Sequence, residues 1–134
     1  SRYALLEFRT NSLRSQITAG VSETVRNGFV PIVAHVERYD ALRSLKNLRK
    51  LRAEFGVYTQ MNTNTVMTKK GFFTERWVRH ALEEGLIDCV ATDAHNLSSR
   101  PCKMRKCHEM LTEKYGVDFA DELCGGFQRR MLEM

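Results

Sequence analysis

Apolar residues along the chain bunch into four short runs, and a longer mixed stretch follows each one. The runs are YALLEF (3–8), FVPIVAH (29–35), GVYTQMN (56–62) and LIDCVAT (86–92). Between and after them, apolar positions recur at helical spacing near 12–27, 40–55, 72–84 and 101–115. Short apolar runs beside turn residues predict strands, and the 3.6-residue recurrence predicts helices. Gly28, Gly56 and Gly85 each stand just before a predicted strand, where a helix end favours a residue at positive φ. The order β-α-β-α-β-α-β-α predicts an α/β fold, a parallel sheet flanked by helices. Strands this continuously apolar predict burial on both faces. With no linker and no low-complexity segment, residues 1–134 read as one domain, with 116–134 as a helical tail.

The helix predicted over 40–55 sets Leu42, Leu45, Leu48, Leu51 and Phe55 on one side. Arg43, Lys46, Arg49, Lys50 and Arg52 lie largely around the other. That is the signature of an outer helix with a solvated face. A nucleic-acid partner is not expected, since no helix-turn-helix, zinc-finger or aromatic RNA-binding signature accompanies the basic side.

Composition narrows the class without changing it. The chain has 134 residues, 43% hydrophobic and 28% charged, enough for one domain with a real core. The formal net charge of +5 favours an anionic partner only weakly. No apolar run approaches the length of a membrane span, so no membrane insertion is expected. The four cysteines form no CxxC pair, which predicts reduced thiols and a cytoplasmic setting. The N-terminus, SRYALLEFR, has no initiator Met and shows no signal peptide, so a processed or truncated chain is expected.

Ligands of parallel α/β folds bind at the C-terminal ends of the strands. Here those ends carry Glu7, then His35, then Gln60 with Asn62, then Asp93 with His95. Singly, each has an ordinary reading: a surface carboxylate for Glu7, a hydrogen-bonded imidazole for His35, a helix N-cap for Asp93. On one rim, with strands about 4.8 Å apart, they favour a shared site. Imidazole nitrogens mixed with carboxylate oxygens suit Mn²⁺, Fe²⁺ or Zn²⁺ better than Ca²⁺ or Mg²⁺. Arg38 follows in AHVERY and Arg100 in DAHNLSSRP; guanidinium forks beside metal ligands point to a phosphoester substrate. The alternative for each arginine is a simple ion pair with a nearby acid such as Glu37.

Two weaker chemistries share the chain. Cys124 and Arg130, in CGGFQRR, satisfy the C-x5-R spacing of cysteine-dependent phosphatases, but within a predicted helical tail rather than after a strand. Cys102, Cys107 and His108 lack the paired spacing of a standard zinc site.

The ordered set ALLEF, PIVAHVERY, QMN and ATDAHN-x3-RP resembles the bacterial PHP-type protein-tyrosine phosphatases of capsule and exopolysaccharide operons, the CpsB/YwqE family. The resemblance runs from about Tyr3 to Tyr115. It implies a distorted, TIM-like β/α barrel with a trinuclear metal centre, often manganese. By that resemblance Glu7, His35, Asp93 and His95 are metal ligands. Arg38 and Arg100 bind phosphate, and Glu37 fits the motif without a ligand role. The implied substrate is the phosphotyrosine tail of a bacterial tyrosine kinase, whose dephosphorylation regulates polysaccharide assembly. Another phosphate ester, or a non-catalytic role in binding a phosphorylated partner, is the alternative.

The chain departs from the family pattern twice. Val36 stands where the family usually has Pro, which changes loop rigidity more than chemistry. The HxH pair of the family's first strand, and the ligands that follow it, have no counterpart here. The expectation is therefore about half of a barrel, its C-terminal portion, weak or inactive alone. Four parallel strands cannot close, so an edge and apolar surface should stay open to another chain or to self-association as a homo-oligomer.

Overall fold

The computed structural model describes residues 2–69, 71–92 and 100–133. Four strands, β1 (Tyr3–Leu6), β2 (Val30–Val33), β3 (Tyr58–Asn62) and β4 (Cys89–Ala91), form one parallel sheet in the order β1-β2-β3-β4. Helices α1 (Arg14–Arg26) and α2 (Leu45–Phe55) connect the first three strands. The short α3 (Thr63–Met67) and then α4 (Phe72–Glu83) lead to β4, and α5 (Arg100–Tyr115) follows it. The tail is α6 (Val117–Asp121), a π-helical turn (Glu122–Gly126) and α7 (Phe127–Glu133).

Because each strand is joined to the next in space, every crossover steps the same way. Right-handed crossovers then place successive helices on one face of the sheet. On that face Val33, Met61 and Val90 form a single core with Ile17, Val21, Leu48 and Leu51. The leucine side predicted for 40–55 is the buried one: Leu42 is 2%, Leu48 0% and Leu51 6% exposed.

The opposite face follows from the register, which levels Leu5 with Ile32 and Ile32 with Tyr58. The tail covers part of it. Phe127 lies edge-on to Tyr58 with ring centroids 4.9 Å apart, and Gln128 Nε2 donates to the Val90 carbonyl at 3.3 Å. The open surface expected of an unclosed sheet is thus reduced but not removed, since Leu5 on the edge strand is 55% exposed.

Element ends differ from expectation for local reasons. The segment 40–55 is not one helix. Asp40–Leu42 is a 3-10 turn whose Asp40 N–H donates to the Thr10 carbonyl at 3.0 Å, which ties it to the β1–α1 loop, and α2 starts only after Ser44. The second strand stops at Val33 because His35 turns left-handed. Leu86 and Ile87 join the core from outside β4. Gly28, Gly56 and Gly85 do hold positive φ, at 85°, 65° and 72°.

Candidate functional site

The β1 and β2 tips meet through the backbone: the Ala34 N–H donates to the Leu6 carbonyl at 3.0 Å, one residue before Glu7 and one before His35. His35 has φ 38° and ψ 55°, the one positive-φ residue other than glycine among the described residues. A side chain held in that region costs roughly 1–3 kcal/mol and marks a position fixed by its surroundings. Directly after it, Val36–Arg38 form a 3-10 turn closed by the Arg38 N–H on the His35 carbonyl at 3.0 Å.

Tyr39 anchors this turn. It is fully buried, its ring lies 5.5 Å from the His35 ring, and its hydroxyl accepts the Phe8 N–H at 3.1 Å. One phenol therefore ties the end of β1 to the turn after β2. Burial raises its pKa; the Phe8 bond lowers it, Glu7 and Glu37 raise it, and Arg38 lowers it. Charged groups from both strand ends thus act on the same hydroxyl.

Glu37 binds the turn to the third strand. Its Oε2 accepts the Asn62 N–H at 3.0 Å and the Thr65 hydroxyl at 2.5 Å, while its Oε1 is buried without a hydrogen-bond partner. An orphaned carboxylate oxygen is costly unless a cation or water meets it. Asn62, read as a possible ligand, is instead the N-cap of α3, accepting the Asn64 N–H at 2.8 Å. Gln60 pairs with Cys89 in the β3–β4 register; the Cys89 thiol donates to the Thr59 carbonyl at 3.9 Å, and burial pushes its pKa up to about 12.

Glu7 is exposed, His35 half-buried and Arg38 exposed, all at the C-terminal tips of β1 and β2. Asp93, His95 and the Arg100 side chain lie outside the described residues. Among the described residues no three His, Cys, Asp or Glu side chains gather to hold a metal ion. The Glu7 carboxylate and the His35 imidazole, at neighbouring strand tips, are of the donor types that suit a divalent transition ion.

The family model for capsular polysaccharide synthesis, CpsB/CapC, matches residues 1–133. The chain belongs to the CpsB/CapC family. The tyrosine-protein phosphatase CpsB of Streptococcus pneumoniae is 39% identical over 128 residues, 92% of this chain and 53% of that protein. The tyrosine-protein phosphatase YwqE of Bacillus subtilis strain 168 is 24% identical over 118 residues, 88% of this chain and 46% of that one. The chain thus spans about half the length of these curated relatives. A solved structure from work on YwqE and the pneumococcal CpsB, described as unique metal-dependent tyrosine phosphatases, superposes with a TM-score of 0.73. It covers 90% of this chain and 49% of its own at 24% identity, which shows a shared fold.

Among the described residues of this CpsB/CapC chain the rival chemistries find no cradle; the Cys102 side chain lies outside them. Cys124 sits in the π-helical turn, and the Arg130 guanidinium is paired with Glu122 rather than turned toward a thiol. Cys107 is fully buried and His108 pairs with Asp121 at 2.7 Å. Three of the five basic residues on the outer side of α2 and its lead-in are also matched by acids: Arg43 with Asp40, Arg49 with Glu84, Arg52 with Asp88.

Sequence reasoning missed two features. One is Tyr39, whose part in joining two strand ends is long-range and leaves no local signal. The other is the Glu37 clamp, for which the only hint was an acid between two candidate site residues.

Proposed function

We propose that the chain is the C-terminal portion of a metal-dependent protein-tyrosine phosphatase that regulates capsular or exopolysaccharide synthesis in the cytoplasm. Residues 1–134 form one domain of barrel type, with 116–134 as its tail. Glu7, His35, Asp93 and His95 hold divalent metal, Mn²⁺ ahead of Fe²⁺ or Zn²⁺. Arg38 and Arg100 bind the phosphoryl group, and the substrate is the phosphotyrosine tail of a tyrosine kinase. The observation that supports this is the left-handed His35, its ring against that of Tyr39, whose hydroxyl in turn holds the N–H of Phe8, the residue after Glu7. It occurs in a family whose curated members are tyrosine-protein phosphatases.

Bound metal supplies Lewis acidity that brings the pKa of water toward neutrality. The protein's own part is placement. Glu37 holds the middle of the 3-10 turn and Tyr39 holds the chain directly after it, which fixes the backbone that carries Arg38. Its guanidinium pairs with two non-bridging oxygens and offsets the charge that grows on them in the transition state.

Two measurements test the reading. After Mn²⁺ loading and desalting, metal per chain should be retained by the wild type and lost by the Asp93→Ala/His95→Ala variant. The full-length gene product should then hydrolyse a phosphotyrosine peptide faster than small sugar or amino-alcohol phosphates. Retention without that preference would indicate a phosphoesterase of another specificity. No retention in either form would remove the metal site from this chain.

A further inference from the structure

Helix α5 and the tail bring two cysteines together far from the strand tips. Cys107, on α5, belongs to the core and is fully buried, and Cys124, in the π-helical turn, packs against that core half-exposed. One residue on from Cys107, His108 Nε2 bonds Asp121 Oδ1 at 2.7 Å, which pins α5 to the end of α6 beside the pair. Cys107 adjoins His108, and Cys124 lies three residues on from Asp121 on the same helical face, so this bond sets the two cysteines beside each other. We infer that Cys107 and Cys124 form a redox-active dithiol that peroxides convert to an intramolecular disulfide, stapling α5 to the C-terminal tail.

The asymmetry of the pair assigns the roles. The neighbouring Cys107 thiol lowers the pKa of Cys124, burial opposes this, His108 adds to it and Asp121 opposes it. The Cys124 thiol and burial raise that of Cys107. Cys124 is both the more acidic and the more exposed sulfur, which is what attack on an oxidant requires. Its thiolate attacks one oxygen of the hydroperoxide; the O–O bond breaks, and the leaving alkoxide or hydroxide takes a proton to give alcohol or water. Cys124 is then a sulfenic acid, oxidised by two electrons, and the peroxide is reduced. Cys107 loses its proton and its sulfur attacks Cys124; the S–O bond breaks and hydroxide leaves, protonated to water. A thiol reductant reverses the product by exchange.

The staple would join two elements that flank β4: the tail touches the Val90 carbonyl through Gln128, and α5 starts at Arg100, just past the segment that carries Asp93 and His95. This inference stands independently of the phosphatase reading. Cys89, buried with its pKa pushed up to about 12, is the internal control.

Peptide mapping tests the pair on the whole protein. Cleavage after Lys106, Lys114 and Arg129 releases Cys107 and Cys124 in different peptides, neither containing Cys89 or Cys102. Brief hydrogen peroxide treatment should join peptides 107–114 and 115–129, and dithiothreitol should separate them. In Cys107→Ser, Cys124 should persist as a sulfenic acid that a cyclic 1,3-diketone labels; in Cys124→Ser, Cys107 should stay reduced. Oxidised wild type should melt several degrees higher than reduced, a shift absent from both variants. Oxidation of Cys124 to sulfinic acid in the wild type with no joined peptide would overturn the inference. So would joining through Cys89 or Cys102 in its place.

Discussion

The two ends of the sheet treat polar groups in opposite ways. At the floor, near the starts of β3 and β4, every partner is matched. Arg52 Nη1 donates to Asp88 Oδ2 at 2.5 Å and to the Thr59 hydroxyl oxygen at 2.9 Å, and Asp88 Oδ2 also accepts the Thr59 N–H at 2.8 Å. The Thr59 hydroxyl donates to the Leu86 carbonyl at 2.5 Å. At the rim, Glu37 keeps one buried oxygen without a partner and His35 occupies a backbone region that side chains avoid. A saturated network stabilises; an unsatisfied and strained one has capacity left for something outside the chain. The difference separates a polar cluster that builds the fold from the one proposed to bind a ligand.

The sharpest break of this contrast is Arg38→Ala. It should lower kcat/KM of the full-length gene product on a phosphotyrosine peptide by roughly 10²–10³-fold, in the range for one transition-state donor. Its urea midpoint should hardly move, because Arg38 is exposed. On the floor, Asp88→Ala strands the Arg52 guanidinium and the Thr59 N–H, so unfolding free energy should fall by about 3 kcal/mol in urea titration. Metal retention, scaled to folded protein, should be unchanged. His35→Gly should do the reverse: stability within about 1 kcal/mol of wild type, since glycine accepts the left-handed backbone, with the loaded metal lost. Equal damage to stability from His35→Gly and Asp88→Ala would erase the distinction.

The smallest effect belongs to Tyr39→Phe, which removes the bond from Phe8 and should cost about 1 kcal/mol. It carries a pH signature as well. The folded-state phenol pKa is raised, so its contribution is fully present below the unfolded value of about 10 and is lost as pH rises through the folded value. Wild type should therefore lose stability on that alkaline limb more steeply than the variant, as followed by thermal midpoints.

Legibility in the sequence followed the range of the interactions. The four strands and the leucine side of 40–55 were readable because burial repeats at fixed spacing, and Leu48 or Met61 needs no distant partner to declare itself. The helix α3 was not: TNTVM is rich in β-branched residues and forms a helix only with Asn62 as its cap and Glu37 holding Thr65. Asp88 looked like an interruption in an apolar run, and its meaning depends on Arg52, distant in sequence. At the site, Glu7, His35 and Arg38 stood out as polar strand ends, whereas Tyr39 looked like any core aromatic. The left-handed turn at His35 has only a faint sequence mark: His is enriched among the side chains that adopt positive φ, but Gly or Asn would announce it far more strongly.

The strand order β1-β2-β3-β4 has a kinetic consequence. Every lateral pairing in this sheet joins strands that are neighbours along the chain, separated by one βα unit, so no early step must close a loop spanning the whole domain. Folding can begin at any adjacent pair and extend outward, each docked strand offering its free edge as the template for the next.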